Sequence, residues 1–267
     1  FRRVVGQQPD PRGSHLQEDL RRGLIVPCIH RQAKLLVGLN GVRAGFLQRV
    51  RAEFVRQADP PALVSAQVQH GPAVQADEAE RLFQLLAACG QWARARTQLE
   101  AAVRLDPANA MAGAAWTALL EAEASRLAVF AGERLPVVIG APSPWLPSLL
   151  EALRLDARGA HAAASVLRAQ AFDAAPATPG RIDETPFGWL ADADSRLGPC
   201  LELVLQGGYG WAPFERIRAL RFEPPASLAD TLWAPVLVTW RNGGQAHGYV
   251  PVRYPHSEGL ADASLRL

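Results

Sequence analysis

Apolar positions recur at two different periods along this chain, and the change from one to the other divides it. Before about residue 176 they return every three or four positions, the spacing of a helix face. Val42, Phe46, Leu47, Val50 and Phe54 predict a helix that Asp59-Pro60-Pro61 then breaks. Ala79, Leu82, Phe83, Leu85 and Leu86 line a stronger stripe, closed by Cys89-Gly90, where glycine is the expected terminator. Trp92, Ala95, Leu99, Ala102, Val103 and Leu105 form the next stripe, ended by Asp106-Pro107. Helix, short glycine turn, helix and Asp-Pro is the shape of a tetratricopeptide-like hairpin.

The pattern returns: Leu86, Gly90, Ala95, Ala102 and Pro107 correspond to Leu155, Gly159, Ala164, Ala171 and Pro176, each 69 positions on. Small residues such as Ala95 and Ala164 let paired helices approach closely. A further helix is expected over 110–131, with Trp116, Leu119, Leu120, Leu127 and Phe130 inward. Prolines 136, 142, 144 and 147 make 135–147 an ordered crossover rather than a helix.

After Pro176 the grammar changes. Pro179-Gly180 marks a turn, and 187–197 reads as a short helix or irregular connection. Strand-like runs follow at 200–206, 209–211, 217–222, 236–240 and 248–252. Gly207-Gly208 and Asn242-Gly243-Gly244 suit hairpin turns, because both residue types tolerate positive φ. The expected fold is α+β, with tetratricopeptide-like hairpins followed by a small antiparallel β-barrel-like or curled-sheet unit. Three regions are expected: a poorly structured basic arm over 1–58, a helical-repeat region over 59–178 and a β-rich unit over 179–267.

Charge and composition change this picture only at the arm. Net charge is +2 overall, but residues 1–56 carry +7 and the rest −5. The arm's basic residues are scattered among Gly and Pro with no amphipathic stripe, which fits neither a nucleic-acid nor a membrane-binding helix. The arm could also be read-through from upstream of the true start. No apolar run reaches the roughly 18–20 residues that span a bilayer, and Leu24 to Ile29 is too short for a signal-peptide core. Cys28, Cys89 and Cys200 are far apart, which suits unpaired thiols in a reducing, cytoplasmic compartment.

The sequence holds no Gly-x-x-x-x-Gly-Lys, no Gly-x-Ser-x-Gly and no His-Glu-x-x-His. A lysine-dependent site would have to use Lys34 in the arm. Asp192 and Asp194 are better read as helix-capping residues paired with Arg196 than as a metal pair. His247 and the run His256-Ser257-Glu258 are read as loop polar residues, since triads are assembled by the fold and not by adjacency. Trp211, Phe214 and Trp233, near Arg216 and Arg218, are expected in core packing or at a protein interface. No enzyme activity, metal or cofactor is expected.

Several long motifs then occur in one order. They are Pro176-Ala-Thr-Pro-Gly-Arg-Ile-Asp183, Pro186-Phe187, Ala191-Asp-Ala-Asp-Ser-Arg-Leu-Gly-Pro199, Trp211-Ala-Pro-Phe-Glu-Arg-Ile217, Arg221-Phe-Glu-Pro-Pro225 and Tyr254-Pro-His-Ser-Glu258. With Leu82-Phe-Gln-Leu-Leu86 and Gly90-Gln-Trp92 they resemble the ImpE/TagJ family over roughly 60–267. The chain departs from the family pattern at Gly210, where a second aromatic usually precedes the Trp, and at His256, where a Gly usually follows Tyr-Pro.

The resemblance implies a non-enzymatic cytoplasmic accessory protein of a type VI secretion system. Its implied partners are a helix of the small sheath subunit (TssB-like) and, indirectly, the ClpV ATPase, with no nucleic acid and no membrane. A helical repeat offers a groove for such a helix. Aromatic density beside the motifs makes Trp189, Tyr209, Trp211 and Phe214, with Arg216, the candidate partner-binding residues. Gly90, Trp92, Ala95, Pro107, Gly159, Ala164, Pro176, Asp192, Asp194 and Arg196 are expected to be structural. The competing readings are a generic tetratricopeptide-like peptide scaffold and an enzyme with an unfamiliar site.

Overall fold

Helix signals that are local in the sequence set the first part of the fold. The computed structural model describes residues 3–6 and 71–257. The helix expected at Val42 to Phe54, Lys34, Cys28 and Glu258 lie outside them, as does most of the basic arm. Helix α1 (Pro72–Ala88) starts with proline in its first turn, where the missing N–H costs nothing. It ends at Cys89, and Gly90 at φ 71 turns the chain, with Gln91 N–H donating to Leu86 O at 2.9 Å. Helix α2 (Trp92–Leu105) runs back against it and buries Ala95, Leu99 and Ala102. The Asp106 carboxylate then accepts from Ala108 N–H at 2.9 Å and starts a 3-10 turn, Pro107–Asn109.

Helix α3 (Ala110–Phe130) has little amphipathic contrast, because its inner half touches both the first hairpin and the sheet. The second hairpin, α4 (Leu146–Ala157) and α5 (His161–Ala174), repeats the first. Both turns occur 69 positions apart, as do the ends Ala88 and Ala157, and Leu105 and Ala174. Gly159 repeats the positive φ of Gly90, and Ala164 and Ala171 are buried as Ala95 and Ala102 are.

The rest of the described chain is strands. β1 (Arg3–Gly6) pairs antiparallel with β5 (Trp189–Asp192), and β3 (Gly180–Ile182) with β4 (Thr185–Phe187). The main sheet uses β2 (Val137–Val138), β6 (Cys200–Leu205), β7 (Gly208–Pro213), β8 (Ile217–Phe222), β9 (Trp233–Trp240) and β10 (Gln245–Pro251). Its order is β2-β7-β6-β10-β9-β8, all antiparallel except β2 on β7.

Two expectations need correction here. The sheet is open, neither closed into a barrel nor strongly curled. β2 occupies the outer edge of β7, the edge a closing strand would need, and no described ladder joins it to β8. β2 can sit there because position 210 is glycine: a Cβ at Gly210 would come within 2.6 Å of Val137 O. Of the short helix or irregular connection expected over 187–197, the helix is absent, although Asp194 does pair with Arg196. The segment holds the end of β4, all of β5 and a turn, so Asp192 and Asp194 cap no helix.

His247 lies on β10, not in a loop. The β6–β7 turn falls at Gln206 and Gly207, both at positive φ, one residue earlier than the two glycines suggest. The five strand runs of the sequence correspond to β6 through β10, β8 with the expected ends and the others with ends shifted.

β6 alternates between two cores. Cys200 and Val204 join a large cluster with Phe83, Leu99, Leu120, Phe130, Leu149, Trp211 and Trp233, shared by helices and sheet. Leu201 and Leu203 point to the other face, with Ala212, Phe214, Val236, Val238 and Val250.

Candidate functional site

At the seam between helix α3 and the sheet, charged side chains interrupt the apolar core. Arg126, on α3, is 2% exposed, and Glu202, on β6, is 3% exposed. The guanidinium meets the carboxylate side-on: Nε donates to Oε1 at 2.7 Å and Nη2 to Oε2 at 2.9 Å. Nη2 also donates to Arg253 O at 2.7 Å, and Nη1 lies 3.5 Å from Glu123 Oε2. Tyr209 Oη donates to Glu202 Oε1 at 2.6 Å, Trp211 Nε1 to Tyr209 Oη at 2.7 Å, and Trp233 Nε1 to Glu123 Oε1 at 3.1 Å. Two carboxylates thus bind one guanidinium and two aromatic donor chains.

Electrostatics hold these groups in one ionisation state. Burial presses Arg126 toward the neutral form, but Glu202 and Glu123 outweigh it and raise its pKa. Burial and the neighbouring Glu202 carboxylate push the Tyr209 phenol well up, so it stays a donor.

A second arginine extends the seam to the first hairpin. Arg253, after β10, donates to Ala88 O at 2.6 Å and to Ala87 O at 2.8 Å, which also accepts from Gly90 N–H, placing a cation on the carbonyls that end α1. Its guanidinium lies 5.2 Å from the Trp92 ring centre, and Trp92 lies 6.1 Å from Trp233.

The motif around Asp192 supports the same seam. The Asp192 side chain accepts from Asp194 N–H at 2.9 Å and from the Tyr254 hydroxyl. Asp194 accepts from Arg196 Nε at 3.0 Å, and the Arg196 guanidinium stands 4.5 Å from the Phe130 ring centre. Phe130 in turn lies 6.0 Å from Trp211. Burial and Asp192 raise the Tyr254 pKa, which keeps that hydroxyl protonated.

The five candidate partner residues do not form one surface. Tyr209 and Trp211 meet inside the seam, and Trp211 is fully buried. Phe214 is buried on the opposite face of the sheet. Trp189, on β5, and Arg216, in the 3-10 turn Phe214–Arg216 between β7 and β8, are half-buried. Arg216 Nε is wholly buried and has no hydrogen-bond acceptor.

Among the structural residues, Trp92 packs under Arg253, Ala95 and Ala164 lie in the hairpin interfaces, and Pro107 opens the turn before α3. Pro176 lies in the link between α5 and β3.

Sequence reasoning missed Glu123, Arg126, Glu202 and Arg253. The available signal was a glutamate inside the otherwise apolar strand Cys-Leu-Glu-Leu-Val-Leu, and Glu123 with Arg126 three apart on an apolar helix. In both places a charge stands where burial is certain, and a buried charge needs a partner.

No group of three or more His, Cys, Asp or Glu able to hold a metal occurs among the described residues. Cys200 is buried and burial pushes its thiol pKa up, while Cys89 is exposed; both are free. No helix of the described residues is long and apolar enough to cross a membrane.

Residues 184–267 match the family model described as ImpE protein. The type VI secretion system accessory component TagJ of Pseudomonas aeruginosa is 48% identical over 186 residues, which are 70% of this chain and 66% of that protein. The chain therefore spans 66% of this relative's length. The crystal structure of protein VPA1032 from Vibrio parahaemolyticus superposes with a TM-score of 0.66 at 23% identity, covering 82% of this chain and 78% of that one. At that identity the likeness concerns the fold.

Proposed function

Because this chain belongs to the ImpE/TagJ family, we propose that it acts as a non-enzymatic accessory protein of a type VI secretion system in the cytoplasm. It binds a helix of the small sheath subunit and, through it, links the sheath to the ClpV ATPase. The observation carrying this reading is the 48% identity over 186 residues with a protein described as an accessory component of that system.

The physical picture agrees with an adaptor. The two hairpins give a short helical repeat, and half-buried Leu82, Trp92 and Trp116 edge the core on the helical side. Of the five candidate partner residues, Trp189 and Arg216 have surface to offer directly. Tyr209 and Trp211 act from beneath, by holding the seam that sets the helices on the sheet, and Phe214 packs the core of the sheet's other face. The polar cluster of the seam is consumed by its own hydrogen bonds, which suits a positioning role and not a reactive one.

Calorimetric titration of the full chain with the N-terminal helical segment of the cognate small sheath subunit tests the proposal. Saturable one-to-one binding is expected. A folded chain that shows no heat and no saturation with that segment returns the protein to the class of generic helical-repeat scaffolds.

A further inference from the structure

A surface away from the helices is built for a different kind of ligand. β8 is the last strand of the sheet, and no described strand pairs with its outer edge. Glu223 N–H donates to Pro235 O at 3.1 Å, so alternation along the ladder turns the Leu220 N–H and C=O away from β9, toward that edge.

Arginines surround it. Arg218 is the bulged residue between Ile217 and Ala219, and Arg221 follows on the exposed side. Arg241 is fixed beside Arg216: its N–H donates to Arg216 O at 2.9 Å and its Nε to Glu215 O at 2.7 Å. Glu215 and Glu223 are the acidic residues on the β7–β8 turn and just after β8. The Glu215 carboxylate accepts from the Ser143 hydroxyl, and Glu223 continues the ladder two residues after Arg221, so the two carboxylates flank the arginine row at its ends.

None of these four arginines has a carboxylate partner among the described residues. Arg96, Arg126, Arg154, Arg168, Arg181 and Arg196 do, whereas Arg81, Arg94, Arg104, Arg134 and Arg158, spread over the helical part, do not. What sets the four apart is therefore their grouping around one strand.

A charged, bulged edge also keeps sheets from pairing with copies of themselves. That protection is selective: it repels neutral and basic strands and leaves acidic ones favoured. We infer that the outer edge of β8, with Arg216, Arg218, Arg221 and Arg241 around it, is a docking site for an acidic, extended segment of a partner protein. Main-chain hydrogen bonds supply the pairing, and the arginines choose the sequence. The cross-strand row Arg221, Leu237 and His247 lies beside it on the exposed face. The −5 carried by residues 57–267 opposes long-range attraction of a nucleic acid, whereas a short acidic peptide meets only the local field. The inference uses neither the helices nor the seam and shares only Arg216 with the secretion-system reading, so its test turns on Arg218 and Arg221.

The test is fluorescence anisotropy on the full chain with a labelled alternating Glu–Thr peptide. An alternating Lys–Thr peptide and a single-stranded oligonucleotide are run beside it. Saturable binding of the Glu–Thr peptide is expected, with amide exchange slowed at Leu220. Affinity should fall at least tenfold in R218E/R221E, whose unchanged circular dichroism and melting show an intact fold. Because both side chains are exposed, R218Q/R221Q serves as a second folded variant with an intermediate loss. Absence of binding, binding indifferent to these substitutions, or tighter binding of the oligonucleotide at the same residues overturns the inference.

Discussion

Trp92 opens the second helix of the first hairpin, and His161 opens the second helix of the other, 69 positions on. Trp92 lies beneath the Arg253 guanidinium and against Trp233. His161 has a side chain 76% exposed and lies 3.1 Å from Asp156 of its own hairpin. The turns themselves agree, since Gly90 and Gly159 share a positive φ and alanines fill both helix interfaces. The same local device is therefore used twice, but among the described residues only the first copy has its turn tied to the sheet through a charge. Hairpin geometry is a short-range property, whereas attachment depends on residues far away in sequence.

The largest effect should come from the seam to which the first hairpin is attached. Glu202→Ala leaves the Arg126 guanidinium buried without its main counter-charge and strips Tyr209 of its acceptor. Removing one member of such a buried pair costs about 3–5 kcal/mol. Urea denaturation should read that loss as a lower midpoint. In the double variant Arg126→Met with Glu202→Leu, most of the loss should return, because no uncompensated charge remains. A double variant as unstable as the single one would mean that shape, and not charge, governs this seam.

A smaller and more local effect distinguishes the hairpins directly. Arg253→Ala removes two charge-assisted hydrogen bonds to Ala87 O and Ala88 O, and the contact with Trp92. A loss of about 2 kcal/mol is expected for donors of this kind. Native-state hydrogen exchange should show the end of α1 and the start of α2 opening more often, with α4 and α5 unchanged. Equal acceleration in both hairpins would show that the two are not attached differently.

The same contrast explains what could be read from the chain alone. Helix stripes, glycine turns and the 69-residue return are local, so both hairpins were legible to within a residue or two at their turns. Strands β6 to β10 were legible for the same reason, through alternation and hairpin glycines. Closure of the sheet was not. It depends on whether the outer edge of β7 is vacant, and Val137–Val138, about seventy residues upstream, fills it in a proline-rich stretch that carries no strand pattern. The seam was half legible. Tyr209, Trp211, Asp192, Asp194 and Arg196 stood out through motif and aromatic density, while their partners on α3 and after β10 are joined to them only in space. A sequence shows that Glu202 will be buried among apolar neighbours, but not that Arg126, 76 residues earlier, will meet it.

The smallest expected effect belongs to the second hairpin, and it depends on pH. Burial pushes the Asp156 carboxyl up, but hydrogen bonds from Arg168, at 2.6 Å, and His161 outweigh this and lower its pKa below the ordinary value. A carboxylate depressed in the folded state stabilises above the unfolded value of about 4 and loses that contribution as pH falls through the folded value. The stability difference between the protein and Asp156→Asn should thus be full near neutrality and shrink as acid is added below pH 4. Chemical denaturation at a series of pH values measures it. Because the pair ties α4 only to α5 of its own hairpin, the exchange rates of α1 and α2 should not follow this titration. A pH-independent difference would remove the ionic contribution assigned to Asp156. Coupled opening of the first hairpin in acid would show that the two copies share more than their geometry.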